Sequence, residues 1–168
     1  MPYMPPHAKA SRAPKQIGDF GEGLVTYLLV RRGYWVANVD NIGADLIAER
    51  KGKRLAISVK TRLFRPKSKE YRAVSIAREH LSKLRDFARR FDMQPMFAQV
   101  VSIADEKTIH LFLLSADDIP WLLGRPTSTG YRLRFARKHL SELIAHPQVH
   151  HSEWGEKLGD HPIRNANA

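Results

Sequence analysis

The residues best placed to do chemistry lie on two strand-like runs, ADLIAER and RLAISVK, which are separated by Lys51-Gly52. A polar pair containing glycine between two such runs predicts a two-residue hairpin loop. Counting back from that loop places Leu46 opposite Ile57, and Asp45 opposite Ser58. Lys60 follows two positions after Ser58 and therefore shares its face of the strand. The pattern predicts a carboxylate, a hydroxyl and an ammonium on one patch of sheet.

The remaining composition narrows what this patch can bind. The 168 residues include no cysteine, so oxygen and imidazole are the available metal ligands. The net charge is +11 and the pI is near 10.2, a balance that favours a polyanionic partner, most often nucleic acid. Basic residues are dense immediately after Lys60, in a segment that we expect to follow a phosphate backbone. Its candidate nucleic-acid contacts are Arg62, Arg65, Lys67, Lys69 and Arg72.

The elements that must position the patch can be read from hydrophobic periodicity. Helices are predicted at about residues 17–32 and 76–91, and a third ends near His146. Strands are predicted for YWVANVD, ADLIAER, RLAISVK, MFAQVVSI and TIHLFLLS, and the alternating run YRLRF precedes the last helix. The order favours an α/β or α+β sandwich around one mixed sheet. We expect a flexible basic arm at residues 1–16, one domain at 17–146 and a polar tail at 147–168.

Three segments resemble the PD-(D/E)XK nuclease superfamily. GADLIAERKGKRLAISVKTR is similar to its core, in which an Asp enters one strand and an acid-X-Lys follows on the next. GDFGEGLVTYLLVRRGYWV resembles the Gly-Glu helix that precedes this core in archaeal-type Holliday junction resolvases and related small predicted endonucleases. LSKLRDFARRFDMQPMFAQVV is similar to the helix and strand that follow it. The resemblance covers roughly residues 17–114 and implies a restriction-endonuclease-like three-layer α/β sandwich, a central mixed sheet flanked by helices.

The resemblance also implies roles for four residues. Asp45 would be a ligand of Mg²⁺ or Mn²⁺, and Lys60 would be the catalytic lysine. Ser58 stands where the family has its second acid, and a hydroxyl is a weaker, neutral ligand. Glu22 is the acid that would compensate as a catalytic residue and second metal ligand. The alternative for Glu22 is a capping box with Asp19 at the start of the helix.

The eight histidines do not show the spacing of a known zinc motif, so we predict no histidine metal site. His80 and His110 are expected to be ordinary surface or strand residues. The sequence has neither a secretory signal nor an apolar run long enough to cross a bilayer, which favours a cytoplasmic protein.

Three functions follow from these observations. The first is a metal-dependent endonuclease acting on DNA, with branched DNA as a substrate and a homodimer implied if the resolvase resemblance extends that far. The second is a nuclease fold that only binds nucleic acid, because Ser58 replaces an acid. The third is a basic RNA-associated structural protein, for which Asp45 would be dispensable.

Overall fold

The computed structural model describes residues 12–64, 72–104, 106–122 and 125–155. Along the chain the elements are α1 Arg12–Arg31, β1 Trp35–Asn41, β2 Ala44–Arg50, β3 Lys53–Phe64, β4 Ala73–Ala77, α2 Arg78–Arg90, β5 Gln94–Ile103, β6 Thr108–Ser115, α3 Ile119–Leu122, β7 Arg125–Pro126, β8 Gly130–Arg134, α4 Arg137–Ala145 and β9 His150–Gly155. No helix among these residues is long and apolar enough to span a membrane.

The central sheet has six strands in the order β1-β2-β3-β5-β6-β9. It is mixed, because β3 and β5 are parallel and the other neighbouring pairs are antiparallel. The β2–β3 hairpin has the predicted register, with Leu46 opposite Ile57. Its loop residues Lys51 and Gly52 both have positive φ, 50° and 78°, as a two-residue hairpin turn of type I′ requires. The hairpin that carries the predicted patch is therefore confirmed.

Helices α1 and α2 lie on opposite faces of this sheet, and each packs against it with an apolar stripe. On one face, Val25 and Leu29 of α1 pack with Leu46, Ile57 and Val59. On the other, α2 contributes Leu81, Leu84, Phe87 and Ala88 to a core that includes Ala56 and Phe97. The two faces of β3 thus enter different cores, because its side chains alternate between them. The α/β architecture with a mixed sheet between helices is confirmed.

Two sequence predictions, a single sheet and a second helix that begins near Ile76, need correction. The fold contains a second, three-stranded sheet in the order β4-β8-β7, so YRLRF joins β4 and not the central sheet. Ile76 belongs to β4, and α2 begins two residues later, at Arg78. Tertiary pairing of β4 with β8 decides this boundary over the local helical pattern.

The predicted termini of the domain also shift. Helix α1 is already present at Arg12, so residues 12–16 belong to it, while residues 1–11 of the expected arm lie outside the described residues. The expected tail contributes β9, which pairs with β6 as the edge strand of the central sheet. Its sequence, HHSEWG, is polar, and all of its residues are exposed or half-buried.

Candidate active site

The carboxylate of Asp45 lies between two groups of β3. Its Oδ2 atom accepts a hydrogen bond from the Ser58 hydroxyl at 3.2 Å and another from the Val59 backbone N–H at 2.6 Å. Ser58 is 1% exposed, whereas Asp45 is half-buried. Both described hydrogen bonds reach Oδ2, so Oδ1 is the oxygen that remains for a cation. The hairpin register therefore brings Asp45 and Ser58 together as predicted.

A histidine from the facing helix completes this group. His80 lies in the first turn of α2, and its Nε2 atom is 2.6 Å from Oγ of Ser58. Because Ser58 donates to Asp45, His80 is assigned the tautomer that carries a proton on Nε2 and donates it to Ser58. Burial, and after it the charge of Lys60, lower the pKa of His80, while Asp45 acts in the opposite direction. A neutral imidazole therefore faces the hydroxyl.

The expectation that His80 is an ordinary surface residue is wrong. His80 is half-buried, and it is separated from Ser58 by 22 positions in sequence. No local spacing links the two residues, since their contact depends on how α2 docks on the sheet. That docking is close: a Cβ on Gly43, whose φ is 109°, would lie 2.5 Å from the Lys83 carbonyl oxygen of α2. Gly43 thus allows the entry to β2 to lie against the helix that carries His80.

Lys60 lies at an open corner of the sheet. Strand β2 begins at Ala44, whereas β3 continues from Lys60 to Phe64 with only β5 beside it. Lys60 is exposed, and its carbonyl accepts a hydrogen bond from the Gln99 amide at 3.0 Å. The Lys60 ammonium therefore projects into solvent on the same face of β3 as Ser58. Lys60 directly follows Val59, whose backbone N–H binds Asp45.

Helix α1 reaches the same corner from the opposite face. Gly21 is buried against Thr61, and a Cβ at this position would overlap the Thr61 hydroxyl oxygen. This close approach explains a glycine within the helix, where it costs about 1 kcal/mol relative to alanine. The next residue, Glu22, lies close enough to the start of β2 for the charge of Asp45 to affect its pKa.

The electrostatics of Glu22 indicate that it faces other acids. Burial, then the negative charge of Asp45, and then those of Asp19 and Asp40, raise the pKa of Glu22 above its ordinary value. Asp40, near the end of β1 and with a positive φ of 38°, was not singled out from the sequence. Neighbouring carboxylates repel one another when they are ionised. A cation bound between them would offset that repulsion.

The capping alternative for Glu22 does not fit the helix. Asp19 is seven residues inside α1, and it makes an ion pair with Lys15, one turn earlier, at 3.2 Å. A capping box requires the first residue of the pair to precede the helix. Glu22 therefore has no capping role.

Of the five residues predicted to contact nucleic acid, two lie within the described part of the chain. Arg62 is exposed on β3, on the same face as Lys60. Arg65, Lys67 and Lys69 lie outside the described residues. Arg72 is only 7% exposed and makes an ion pair with Glu106 at 3.1 Å, so its position favours a structural role over phosphate binding.

The donor set at this corner fits a hard divalent cation. Magnesium takes one or two protein carboxylates and keeps several water ligands. Asp45 offers Oδ1, and among the acids near Glu22 it has the largest effect on the pKa of that residue. Within the described residues, these two acids belong to no group of three His or acidic ligand atoms that all lie within 4.8 Å of one another. The site therefore supplies two carboxylates at most and leaves the remaining coordination positions to water and substrate.

No protein-family model matches the chain, and no curated protein matches it. Among solved structures, it is similar to Hjc, a Holliday junction resolvase from Archaeoglobus fulgidus, with a TM-score of 0.50 and 19% identity over 70% of this chain and 83% of that one. It is also similar to the bacterial homing endonuclease I-Ssp6803I, with a TM-score of 0.46 and 18% identity over 73% of this chain and 75% of that one. The likeness to Hjc, together with the mixed sheet between helices, shows that the chain has a restriction-endonuclease-like fold.

Proposed function

We propose that this protein is a metal-dependent endonuclease that hydrolyses phosphodiester bonds in DNA. The observation that supports this most strongly is the contact between Asp45 and the Ser58–Val59 segment, directly beside the exposed ammonium of Lys60. Phosphodiester hydrolysis with a metal ion needs a carboxylate held in place and a nearby cation. Asp45, which the Val59 backbone N–H holds, and the exposed Lys60 are such groups. The fold supports the same conclusion, since it is shared with a nuclease.

Each residue has a distinct task in this proposal. Asp45 and Glu22 would hold Mg²⁺ or Mn²⁺ through carboxylate oxygen. An ion held there would supply Lewis-acid chemistry, the activation of water and the polarisation of a phosphoryl oxygen. Lys60 donates hydrogen bonds to the phosphate oxygens, whose charge grows in the transition state. His80 and Ser58 orient Asp45, because they fix which of its oxygens is engaged and which faces the open corner.

The proposed substrate is DNA, and we infer that branched DNA of the Holliday-junction kind is cut best. The chain shares its fold with a Holliday junction resolvase, and the site opens at a corner of the sheet that a broad substrate can approach. Arg62, with Arg65, Lys67 and Lys69 after it, would bind the phosphate backbone. Symmetric cleavage of a junction requires two sites, so the proposal includes a homodimer. It further places the protein in the cytoplasm and in DNA repair or recombination.

One observation favours a second candidate, a nuclease fold that binds nucleic acid without cutting it. Ser58 is buried, and its hydroxyl already contacts both Asp45 and His80. It is therefore not free to replace the missing acid as a ligand. If Glu22 does not supply the second carboxylate, a single acid would remain to hold the ion.

A cleavage assay separates the two candidates. Purified full-length protein is incubated with a four-way DNA junction, with a linear duplex of the same sequence and with RNA, each over a range of Mg²⁺ and Mn²⁺ concentrations and with EDTA. Metal-dependent cutting of the junction that EDTA stops supports the enzyme. Tight DNA binding without cutting at any metal concentration supports the binding protein.

A further inference from the structure

A second group of possible metal ligands lies on the other half of the central sheet. His110 of β6 stands directly opposite Glu153 of the edge strand β9, and His151 lies two residues before Glu153 on the same face. Nδ1 of His110 is 3.0 Å from Nε2 of His151 and 3.9 Å from Oε2 of Glu153. Three ligand atoms, one from each residue, all lie within 4.8 Å of one another.

These distances suit a small transition-metal ion. Ligand atoms bound at ~2.0–2.1 Å in a tetrahedral zinc site are ~3.3 Å apart, and the separations of 3.0 and 3.9 Å from Nδ1 of His110 lie on either side of that value. Two imidazoles and one glutamate form a donor set that zinc uses when one coordination position stays open. Imidazole nitrogen distinguishes this set from the all-oxygen donors near Asp45.

The orientation of His110 supports the same interpretation. Its side chain is buried, and within the described residues Nε2 has no hydrogen-bond partner. The described polar contacts of the ring are therefore made through Nδ1, which faces His151 and Glu153. His151 is half-buried and Glu153 is exposed, so the group extends from the core to solvent.

An entry path for an ion is also present. His110 and Glu153 line a cavity of about 740 Å³ beneath α4. The cavity is also lined by two cations, Arg72 and Arg137, whose charges are opposed by Glu106, which pairs with Arg72, and by Glu153. The cavity is separate from the Asp45 site. Ser58 aligns through β5 with Leu114, four residues from His110, which puts the two groups roughly 16 Å apart at ~4.8 Å per strand and ~3.3 Å per residue.

We propose that His110, His151 and Glu153 bind a zinc-type divalent ion that fastens β9 to the sheet. The ligands come from two adjacent strands, so the ion would join the edge strand to β6 in addition to the backbone hydrogen bonds. An edge strand is otherwise held on one side only. The fourth coordination position would face the cavity. The proposal departs from the sequence-based expectation that the histidines form no metal site.

The competing explanation is packing alone. The rings of His110, His151 and Phe112 stack, with centroids 5.0 to 6.0 Å apart, and the two imidazoles can share one hydrogen bond without any metal. Packing predicts that the trio contributes to stability and has no affinity for metal beyond that of other surface histidines. Metal titration therefore distinguishes the two.

The experiment uses the full chain and Co²⁺, because tetrahedral Co²⁺ has intense visible absorption and Zn²⁺ displaces it. Wild type is compared with His151→Ala and Glu153→Gln. His150→Ala is the matched control, since His150 is the exposed neighbour of His151 and is not part of the trio. Asp45→Asn is included so that the site proposed for catalysis cannot account for the signal. Melting temperature with and without Zn²⁺ is measured on all five proteins.

We expect wild type, His150→Ala and Asp45→Asn to develop the tetrahedral spectrum and to be stabilised by Zn²⁺. In His151→Ala and Glu153→Gln the affinity should fall at least about tenfold, as losses around metal sites do. A wild type without the tetrahedral spectrum would overturn the proposal, and so would a spectrum equally strong in His151→Ala. Neither result bears on DNA cleavage, which depends on Asp45 and Lys60.

Discussion

The Ser58 hydroxyl lies 2.6 Å from Nε2 of His80, so a helix residue reaches the position on the sheet where the PD-(D/E)XK pattern has an acid. Ser58 is buried and also donates to Asp45. A longer acidic side chain at position 58 would have to displace the imidazole. Serine and histidine therefore occupy this position together, and His80 fills space that a carboxylate would otherwise use.

The pairing of Ser58 with His80 predicts energetic coupling between them. Ser58→Ala and His80→Ala should each lower the free energy of unfolding by about 0.5–1.5 kcal/mol, because each removes the hydrogen bond between a buried hydroxyl and a half-buried imidazole. The double variant should lose less than the sum of the two, by about 0.5–1.5 kcal/mol. Urea unfolding of the four proteins measures this. Additive losses would show that the interaction contributes nothing.

Substitution at the proposed reaction centre should separate catalysis from binding. Asp45→Asn keeps an oxygen to accept the Val59 N–H but removes the charge, and Lys60→Ala removes an exposed ammonium. We expect both to abolish cleavage of a DNA junction, with normal melting temperature and nearly normal DNA affinity. Lys53→Ala is the control, because Lys53 is exposed on the same strand, seven residues and ~23 Å from Lys60. Wild-type cutting by Asp45→Asn or Lys60→Ala would refute the assigned site.

The part of the site predicted from the sequence depends on local geometry. Once Lys51-Gly52 is recognised as a turn, the period of two along each strand fixes Asp45 against Ser58 and places Lys60 beside them. The helices of the two layers follow from apolar stripes. Because these features are determined by residues close in sequence, local sequence patterns predict them well.

The parts that were missed depend on contacts between distant segments. His80 meets Ser58 only because α2 starts after β4 and lies against Gly43. Strand β9 has a polar sequence and no buried residue, so its apolar signal is too weak to distinguish it from a tail. The proposed ligand trio combines one residue of β6 with two of β9, and no spacing along the chain links them. In each case the residues are brought together by strand pairing across the sheet or by a helix that docks on it, and local sequence patterns do not report such contacts.

The close packing between α1 and β3 predicts opposite effects at two neighbouring glycines. Gly21→Ala should destabilise the protein by about 1–3 kcal/mol, since its methyl would overlap the Thr61 hydroxyl. Gly23→Ala has open space around its Cβ and should stabilise the helix by up to about 1 kcal/mol. Thermal or urea unfolding gives both values. Equal effects would mean that α1 does not pack on β3 at Gly21.

Phosphate binding by the basic segment predicts a change in salt dependence. Replacing Arg62, Arg65, Lys67 and Lys69 by Ala should weaken binding to all DNA sequences alike. The slope of log affinity against log salt should flatten by ~0.9 for each duplex phosphate that the variant no longer neutralises, because fewer counterions are released. Fluorescence anisotropy over a range of salt concentrations measures the slope, with Lys53→Ala as the control. A slope equal to that of wild type would exclude this segment from the interface.

The role of Glu22 gives the most decisive test of activity. Burial and the charge of Asp45 raise the pKa of Glu22, so its ionised form opposes folding at neutral pH when no metal is bound. Replacing it with neutral Gln should therefore not lower the free energy of unfolding in EDTA. The same change removes one of two proposed carboxylate ligands. We expect Glu22→Gln to cut DNA at least about tenfold more slowly at limiting Mg²⁺, with partial recovery as Mg²⁺ is raised.

Asp19→Asn is the matched control for Glu22→Gln. Asp19 is also an acid of α1, but it is exposed and paired with Lys15, so its loss changes the charge of the helix without removing a ligand. Cleavage rate against Mg²⁺ concentration is measured for wild type and both variants, together with the rise in melting temperature that Mg²⁺ causes. Asp19→Asn should follow the wild-type curve closely. If wild type cuts DNA and Glu22→Gln has the same Mg²⁺ dependence, Glu22 is not a ligand, and the second carboxylate must come from another residue, of which Asp40 is the first to test because its charge also reaches Glu22.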